Sequence, residues 1–336
     1  MKHANISIFI PHNGCPNKCS FCNQKKITGK QFQPSAEDVL DILKKASERI
    51  RDNTYNAEIA FFGGSFTAID REYMLSLLEV AKPYVDSGNF SGIRISTRPD
   101  AITSEILDIL RFYKVSSIEL GAQSMDDDVL KMNNRGHTRQ DVIDASKLIK
   151  SYGFSLGLQM MTGLYASSYE KDMETGILIR NLKPDTVRIY PTVIMKDTEL
   201  ETLYNAGKYK TLSFDDTVDL CCKLISMFED SNISVIRVGL HYSESLCKNM
   251  VAGVFHPAFR EICESRILYD KIIDEINKKG LSKKYIKLSA NPKMISKVVG
   301  QGKSNLRKFC KSSYEIKICK DERVKIGDFL IENCGG

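Results

Sequence analysis

Short runs of strand-forming residues alternate with helical stretches along most of this 336-residue chain. The helical stretches repeat apolar residues every three or four positions, for example at 36–52 and 71–86, and Ser35 and Asp70 precede them as helix-start residues. The strands are apolar nearly throughout, which is typical of parallel strands that are covered on both faces. Such repeated β–α units imply parallel pairing through right-handed crossovers. The predicted strands lie at 6–11, 57–62, 93–97, 117–120, 155–160, 186–190 and 234–239.

Six β/α units predict an α/β fold, a partial (βα)6 TIM-like barrel, with a doubly wound open sheet as the alternative. In such barrels, functional residues lie where strands end and loops begin. A different pattern follows Gly280, so we expect a barrel with a helical extension at 1–280 and a small C-terminal α+β module at 281–336. The predicted elements of the module are a strand at 284–289, helices at 292–299 and 304–311, and strands at 314–319 and 324–332.

The cysteines are unevenly distributed. The chain shows no signal peptide and no apolar run of membrane-spanning length, so we expect a soluble, cytoplasmic protein without structural disulfides. Seven of the ten cysteines are scattered, but Cys15, Cys19 and Cys22 follow the first strand with the spacing C-x3-C-x2-C. Three thiolates this close bind an iron–sulfur cluster or zinc. A cluster with three protein ligands leaves one iron open, whereas structural zinc prefers four ligands and only His12 is nearby. Cluster, zinc and no metal therefore all remain open from spacing alone.

The cysteine spacing resembles the signature of the radical S-adenosylmethionine (SAM) superfamily. The run 61–66 at the end of the second strand resembles that family's glycine pair, although a plain turn would also explain Gly63 and Gly64. The likeness is greatest to the radical SAM domain of the Elongator catalytic subunit and to bacterial stand-alone proteins that lack its acetyltransferase domain. It is carried, in order, by the motifs at 96–100, 119–124, 134–138, 160–161 and 189–192. Oxygen-independent coproporphyrinogen oxidases are more distant relatives.

The resemblance implies that Cys15, Cys19 and Cys22 hold a [4Fe–4S] cluster that binds SAM. An external donor such as flavodoxin or ferredoxin would reduce the cluster, and SAM would then yield a 5′-deoxyadenosyl radical. Two departures limit the transfer: Ser96 stands where a glutamate is common, and the chain has no room after residue 280 for an acetyltransferase. Acetyl-CoA-dependent tRNA carboxymethylation is therefore not expected.

The resemblance also implies a set of SAM contacts. Arg135 suits the SAM carboxylate because its planar fork can bind two oxygens, although a surface ion pair is the alternative. Gln159 matches a ribose-hydroxyl ligand and would otherwise be a costly buried amide. Phe21 would pack near the adenine or merely staple its loop. The full predicted set is Phe21, Gly63, Gly64, Ser65, Ser96, Gln123, Arg135, Gln159 and Arg188.

Several other residues have structural explanations that are at least as good. Glu119 and His137 could satisfy local backbone groups, and Tyr190 could line the barrel cavity beside Arg188. Packing explains the segment 253–259, and Cys221 with Cys222 is expected in the core. The three cysteines nearest the C-terminus, at 310, 319 and 334, are too far apart to predict a second cluster.

The C-terminal module is strongly basic. Residues 281–320 carry eleven Lys or Arg and only one acidic residue, whereas the rest of the chain has 37 basic and 41 acidic residues. The order strand, helix, glycine loop, helix and strand resembles the core of a KH domain, which binds nucleic acid through its loop. The fourth loop position departs from G-x-x-G. The predicted RNA contacts are Lys297, Gly300, Gln301, Gly302, Lys303, Arg307 and Lys308.

These features favour a radical SAM enzyme that acts on RNA, with tRNA as the expected class. The alternatives are a radical SAM enzyme with a protein or small-molecule substrate, and a non-catalytic iron–sulfur or zinc protein that binds RNA.

Overall fold

The computed structural model describes residues 2–11, 14–15, 18–29, 32–50, 55–281 and 284–333. The chain divides into two compact units, 1–213 with 227–255 and 214–226 with 256–336. Residues 259–278, which precede Gly280, thus group with the second unit. No helix in the described ranges is long and apolar enough to cross a membrane.

The first unit is built on a parallel sheet of seven strands. Its order, β1-β2-β3-β4-β5-β6-β8, follows the chain without a reversal, so the sheet is a half-barrel and not a doubly wound sheet. The α/β partial-barrel prediction is confirmed. A short antiparallel pair, β7 with β9, was not predicted. The strands are β1 (Lys2–Ile10), β2 (Tyr55–Gly63), β3 (Gly92–Thr97), β4 (Val115–Gln123), β5 (Ser155–Thr162), β6 (Thr186–Pro191), β7 (Val193–Met195), β8 (Ser234–Val238) and β9 (Met250–Gly253).

Side-chain caps start the helices of this unit where the sequence places them. Ser35 accepts a hydrogen bond from the Asp38 amide at 3.1 Å, and the Asp38 carboxylate accepts one from the Ser35 amide at 2.8 Å. Asp70 caps the next long helix through the Tyr73 amide. The helices are α1 (Gln24–Thr28), α2 (Ala36–Ile50), α3 (Arg71–Asp86), α4 (Ser104–Phe112), α5 (Asp127–Met132), α6 (Arg139–Ser151), α7 (Tyr169–Asn181), α8 (Glu199–Asn205) and α10 (Glu244–Asn249). Helix α9 (Phe214–Asp230) belongs mostly to the second unit, which includes residues 214–226.

The second unit has a three-stranded sheet against helices. Central strand β10 pairs in parallel with β11 and antiparallel with β12. The core includes Leu268, Ile272 and Ile276 of α11, packed with Leu288 and Phe309. The elements are α11 (Phe259–Lys278), β10 (Ile286–Ala290), α12 (Ile295–Val299), α13 (Ser304–Lys311), β11 (Ile316–Lys320) and β12 (Phe329–Asn333).

The last predicted strand, 324–332, is wrong in its first half. Strand β12 begins only at Phe329, because the preceding residues turn. The Asp328 amide donates to the Lys325 carbonyl at 3.1 Å, and Gly327 between them has φ +100°, a left-handed conformation that glycine permits. Alternating hydrophobicity alone did not reveal this turn.

Candidate functional site

The cysteine loop lies directly against the end of β2. Gly14 has φ +70°, and a Cβ atom there would be 2.3 Å from the Ser65 carbonyl oxygen. The Cys15 Sγ is 3.7 Å from the Ser65 Oγ. The loop therefore meets the predicted glycine-pair segment, as expected if both serve one site. His12 lies outside the described residues.

A buried polar clamp holds the other side of the loop. The Ser20 Oγ donates to the Asn133 Oδ1 at 2.7 Å, and the Ser20 amide donates to the Asn133 carbonyl at 3.1 Å. The Asn133 side-chain nitrogen, Nδ2, donates in turn to the carbonyls of Val129 and Tyr165. Both clamp residues are fully buried. The clamp joins positions 113 residues apart, so no local pattern in the sequence predicts it.

Cys15 and Cys19 are close enough to Cys22 for their charges to affect its pKa. The Cys22 amide donates to the Cys19 carbonyl at 3.1 Å, which forms a tight turn between them. Burial, followed by the charges of Cys19 and Cys15, raises the pKa of Cys22 to about 12, and Arg135 lowers it. The Arg135 Nη1 donates to the Cys19 Sγ at 3.1 Å. A bound cation would let all three thiols ionise together.

The three cysteines fit a cluster by chemistry and by their shared loop. In the part of the chain that the structure describes, no three Cys, His, Asp or Glu side chains already converge as metal ligands. Thiol ligands must be deprotonated to bind a metal, so binding of the metal and ionisation of the three thiols are coupled. The Arg135 guanidinium, which contacts Cys19, and the unsatisfied polar atoms of Arg135 and Gln123 also support a cofactor site here.

Gly63 and Gly64 have a packing role as well as a predicted ligand role. Gly63 has φ +115°, and a Cβ atom there would lie 2.6 Å from the Ile10 carbonyl oxygen. The Gly64 amide donates to that same oxygen at 2.7 Å. The Gln24 side chain donates to the Gly63 carbonyl. Gly63 therefore allows the ends of β1 and β2 to approach closely, and contact of this pair with SAM stays a prediction.

At the end of β4, Gln123 and Arg135 carry unsatisfied atoms. Gln123 has φ +66°, and its Oε1 is buried with no partner among the described residues. The Arg135 Nη2 donates to the Gly121 carbonyl at 2.6 Å, but the Arg135 Nε is likewise buried and unsatisfied within the described chain. Such atoms are expensive unless a ligand completes them.

His137 beside them is structural. Its Nε2 donates to the Ala122 carbonyl at 3.2 Å. Burial, followed by the charge of Arg135, lowers the pKa of His137 to about 4, so its ring is neutral at pH 7. Its local role agrees with the structural interpretation from sequence.

Inside the half-barrel, two carboxylates and two guanidinium groups form one buried network. Arg94 donates to Glu58 at 2.7 and 2.9 Å and to Glu119 at 3.1 Å. Arg188 donates to Glu119 through Nε at 2.7 Å and Nη2 at 2.9 Å. The predicted ligand Gln159 joins through its Nε2, 2.9 Å from Glu119 and 3.5 Å from the Ser96 Oγ. Glu58 and Arg94 were not predicted as site residues, because they lie on strands outside the family motifs.

Arg188 is held firmly. Its guanidinium lies over the Phe62 ring at 5.3 Å from the centroid. Burial lowers its pKa, but Glu119 and Tyr190 outweigh burial and raise that pKa above the ordinary arginine value. Burial, followed by the charges of Arg237 and Arg188, lowers the pKa of His241. Tyr190 and His241 thus lie near Arg188, as predicted for Tyr190.

Phe21 packs in an apolar cluster with Ile194, Leu200 and Tyr209. The structure therefore gives Phe21 the loop-stapling role, and an adenine contact stays a prediction. The scattered cysteines behave as expected where they are described: Cys221 and Cys222 are buried, whereas Cys310 is exposed. Cys334 lies outside the described residues.

In the second unit, the predicted RNA loop connects α12 and α13 as expected, with left-handed residues at Gly300, Gly302 and Lys303. Three of its cationic neighbours have partners within the unit. Lys297 pairs with Glu264 at 2.6 Å, the Arg307 Nη1 donates to the Gly302 carbonyl at 2.6 Å, and Lys308 lies 5.3 Å from the Tyr269 ring centroid. Gln301 and Lys303 are exposed.

Known protein families match most of the chain. The pattern of the Radical SAM superfamily matches residues 9–175, and that of the Radical_SAM C-terminal domain matches 184–268. An uncharacterized protein of Methanocaldococcus jannaschii is 31% identical over 222 residues, which are 65% of each chain. A tRNA uridine(34) acetyltransferase of Dehalococcoides mccartyi is 28% identical over 228 residues, 58% of this chain and 50% of that one.

Among solved structures, the archaeal Elp3 of Methanocaldococcus infernus, lacking its N-terminal residues, superposes with a TM-score of 0.59. The sequence identity is 20%, and the match covers 83% of this chain and 64% of the other. This likeness concerns the fold. The chain spans about half to two thirds of the length of these relatives.

Proposed function

Because this chain belongs to the radical SAM superfamily, we propose that it cleaves SAM at a [4Fe–4S] cluster held by Cys15, Cys19 and Cys22. When bound, the cluster supplies the electron that breaks the sulfonium–C5′ bond of SAM, which gives a 5′-deoxyadenosyl radical. The observation that carries this proposal is the grouping of the three thiols with Arg135, whose Nη1 is 3.1 Å from the Cys19 Sγ.

Several residues around the cysteines each bind a different part of SAM. Arg135 offers its buried, unsatisfied Nε to the SAM carboxylate, and the unsatisfied Gln123 Oε1 offers an acceptor to an N–H or O–H group. Gly63, Gly64 and Ser65 line the side facing the cysteine loop. Gln159 supplies a hydrogen bond to a ribose hydroxyl from deeper in the half-barrel. Together they orient the cofactor and exclude water.

For the substrate we propose RNA, with tRNA as the class. The support is the similarity to a tRNA uridine(34) acetyltransferase, together with the basic second unit. Acetyl transfer is not carried over, since only half of that relative's length is matched. The loop 300–303 would contact the RNA backbone through exposed Gln301 and Lys303 and through glycine amides.

The cofactor proposal is tested by anaerobic reconstitution with iron and sulfide, reduction with dithionite or a flavodoxin or ferredoxin, and incubation with SAM. We expect 5′-deoxyadenosine, quantified by chromatography. A reconstituted protein with full iron content that yields no 5′-deoxyadenosine would contradict the proposal.

The substrate proposal needs a separate test. Nucleosides from total tRNA are compared between cells with and without the protein, and we expect one modified nucleoside to disappear. An identical nucleoside profile would instead favour a protein or small-molecule substrate.

A further inference from the structure

The buried Glu119 carboxylate is the centre of the half-barrel network. The residue is only 1% exposed. Its two oxygens accept four hydrogen bonds, from the Arg188 Nε and Nη2, the Arg94 Nη1 and the Gln159 Nε2, at 2.7 to 3.1 Å. A buried ion-pair network of this kind seldom adds net stability, because desolvation offsets the Coulomb attraction. The network therefore calls for a role other than holding the fold together.

That role follows from hydrogen-bond polarity. Both Glu119 oxygens accept hydrogen bonds from guanidinium groups, and a carboxylate has no hydrogen to donate. The Gln159 amide must therefore turn its nitrogen towards Glu119, which fixes the direction of the amide oxygen. No described residue donates to the Gln159 Oε1, and the side chain is only half-buried. Gln159 is thereby presented to the barrel interior as an acceptor.

The neighbouring strand makes room for this arrangement. Gly157 is the register partner of Glu119. A Cβ atom on Gly157 would lie 2.8 Å from the Glu119 Cγ and 2.9 Å from the Thr186 Oγ1. Its φ is not in the left-handed region, so a glycine is needed here for space and not for backbone conformation.

We propose that Glu119 is a positioning residue that makes Gln159 an obligatory acceptor for a ligand hydroxyl. The inference rests on the proposed use of SAM, whose ribose supplies the hydroxyl donors. Glu119 itself need not touch the ligand. It determines which end of the Gln159 amide the ligand meets, so the site selects a hydroxyl donor over a deoxy position.

The test measures selection for the hydroxyl and not activity. The reconstituted holoenzyme is titrated calorimetrically with S-adenosylhomocysteine and with its 2′-deoxy and 3′-deoxy analogues. One lost hydrogen bond predicts that the wild type binds one analogue up to about tenfold more weakly. Gln159→Met should abolish this ratio, and Glu119→Gln should reduce it to about twofold or less, because a glutamine can donate as well as accept.

Gly157→Ala is a second route to the same result. It keeps every charge and both amides but pushes on Glu119, so the ratio should also fall. This variant carries the test if Glu119→Gln does not fold. Asp172→Asn is the matched control, because Asp172 is another buried carboxylate that accepts hydrogen bonds from the Gly163 amide and the Ser167 hydroxyl. Its ratio should stay at the wild-type value.

The outcomes separate the claims. A wild-type ratio that persists in folded Glu119→Gln and Gly157→Ala overturns the positioning role. A ratio that persists in Gln159→Met overturns the acceptor role of Gln159. Production of 5′-deoxyadenosine by the wild type tests the proposed function independently of either result.

Discussion

The strand-end site around Cys15, Cys19 and Cys22 and the basic loop 300–303 differ in how their polar groups are satisfied. Beside the cysteines, the Arg135 Nε and the Gln123 Oε1 are buried without partners in the described chain. Beside the loop, Lys297, Arg307 and Lys308 all have partners in their own unit. Unsatisfied buried atoms indicate a waiting ligand more specifically than surplus charge does, since the surplus is partly used by the fold itself.

The largest effect expected from this comparison is loss of the cluster. Replacement of Cys15, Cys19 or Cys22 by alanine removes one of three ligands, so iron content after reconstitution and 5′-deoxyadenosine formation should both fall to background. Iron is measured by colorimetry and the product by chromatography. Cys247→Ala is the matched control, because Cys247 is also an exposed cysteine of the first unit. If all three variants retained full iron, Cys15, Cys19 and Cys22 would not be the ligands of the cluster.

The next effect concerns Arg135. Arg135→Met removes charge-assisted hydrogen bonds worth about 2 kcal/mol, so SAM should bind roughly 30-fold more weakly. Equilibrium dialysis against the reconstituted protein measures this. Arg139→Met, an exposed arginine on α6, should leave the affinity unchanged. Equal affinities for the two variants would show that the unsatisfied Nε is not a ligand contact.

The third effect is a pH dependence of stability from His137. The folded pKa of about 4 lies below the unfolded value near 6.5. The unfolded chain therefore binds the additional proton first, and stability is fully present above pH 6.5 and is lost as the pH falls towards 4. Between pH 7.5 and pH 5.0, these two pKa values correspond to a loss of roughly 2 kcal/mol in the free energy of unfolding. Urea unfolding at pH 5.0 and 7.5 should show a steeper decline for the wild type than for His137→Gln, and parallel declines would refute the assignment.

The fourth effect concerns the clamp between Ser20 and Asn133 that holds the cysteine loop. Asn133→Ala removes the side-chain partner of the buried Ser20 hydroxyl and of the carbonyls of Val129 and Tyr165, so the free energy of unfolding should fall by about 2 kcal/mol. Ser47→Ala, which removes an exposed hydroxyl bonded to the Lys44 carbonyl, should change it by less than about 0.5 kcal/mol. Denaturant melts compare the two, and a small change in Asn133→Ala would mean that the loop is held elsewhere.

The smallest effect is expected at the basic loop. Lys303→Ala should weaken tRNA binding by the full-length protein only a few-fold and reduce the salt slope by about one counterion. It should not alter the melting temperature. Arg307→Ala should lower that temperature, because it removes the bond to the Gly302 carbonyl. Identical salt dependences for wild type and Lys303→Ala would remove the loop from the RNA interface.

The sequence predicted the parts of this molecule that depend on local pattern. The βα alternation and the helix caps at Ser35 and Asp70 are local, and the structure confirms them. The cysteine spacing likewise identified the loop. The start of strand β12 was predicted five residues too early, because a turn at Gly327 interrupts a pattern that is typical of a longer strand.

What the sequence could not predict depends on register between strands. Gly157 looks like an ordinary weak point in a strand until Glu119 is placed opposite it. The Arg94 contacts with Glu58 and Glu119 join three separate strands, so no window along the chain contains them. Such contacts become visible only when the sheet is assembled.

The clamp between Ser20 and Asn133 has a consequence for handling the protein. All of its hydrogen bonds join nitrogen or oxygen donors to oxygen acceptors, and none involves a cysteine sulfur. The attachment of the loop at Ser20 is therefore independent of what the thiols hold. We therefore expect damage by oxygen to be repairable in place: with Ser20 still bonded to Asn133, a protein stripped of iron should regain its cluster in buffer without passing through the unfolded state.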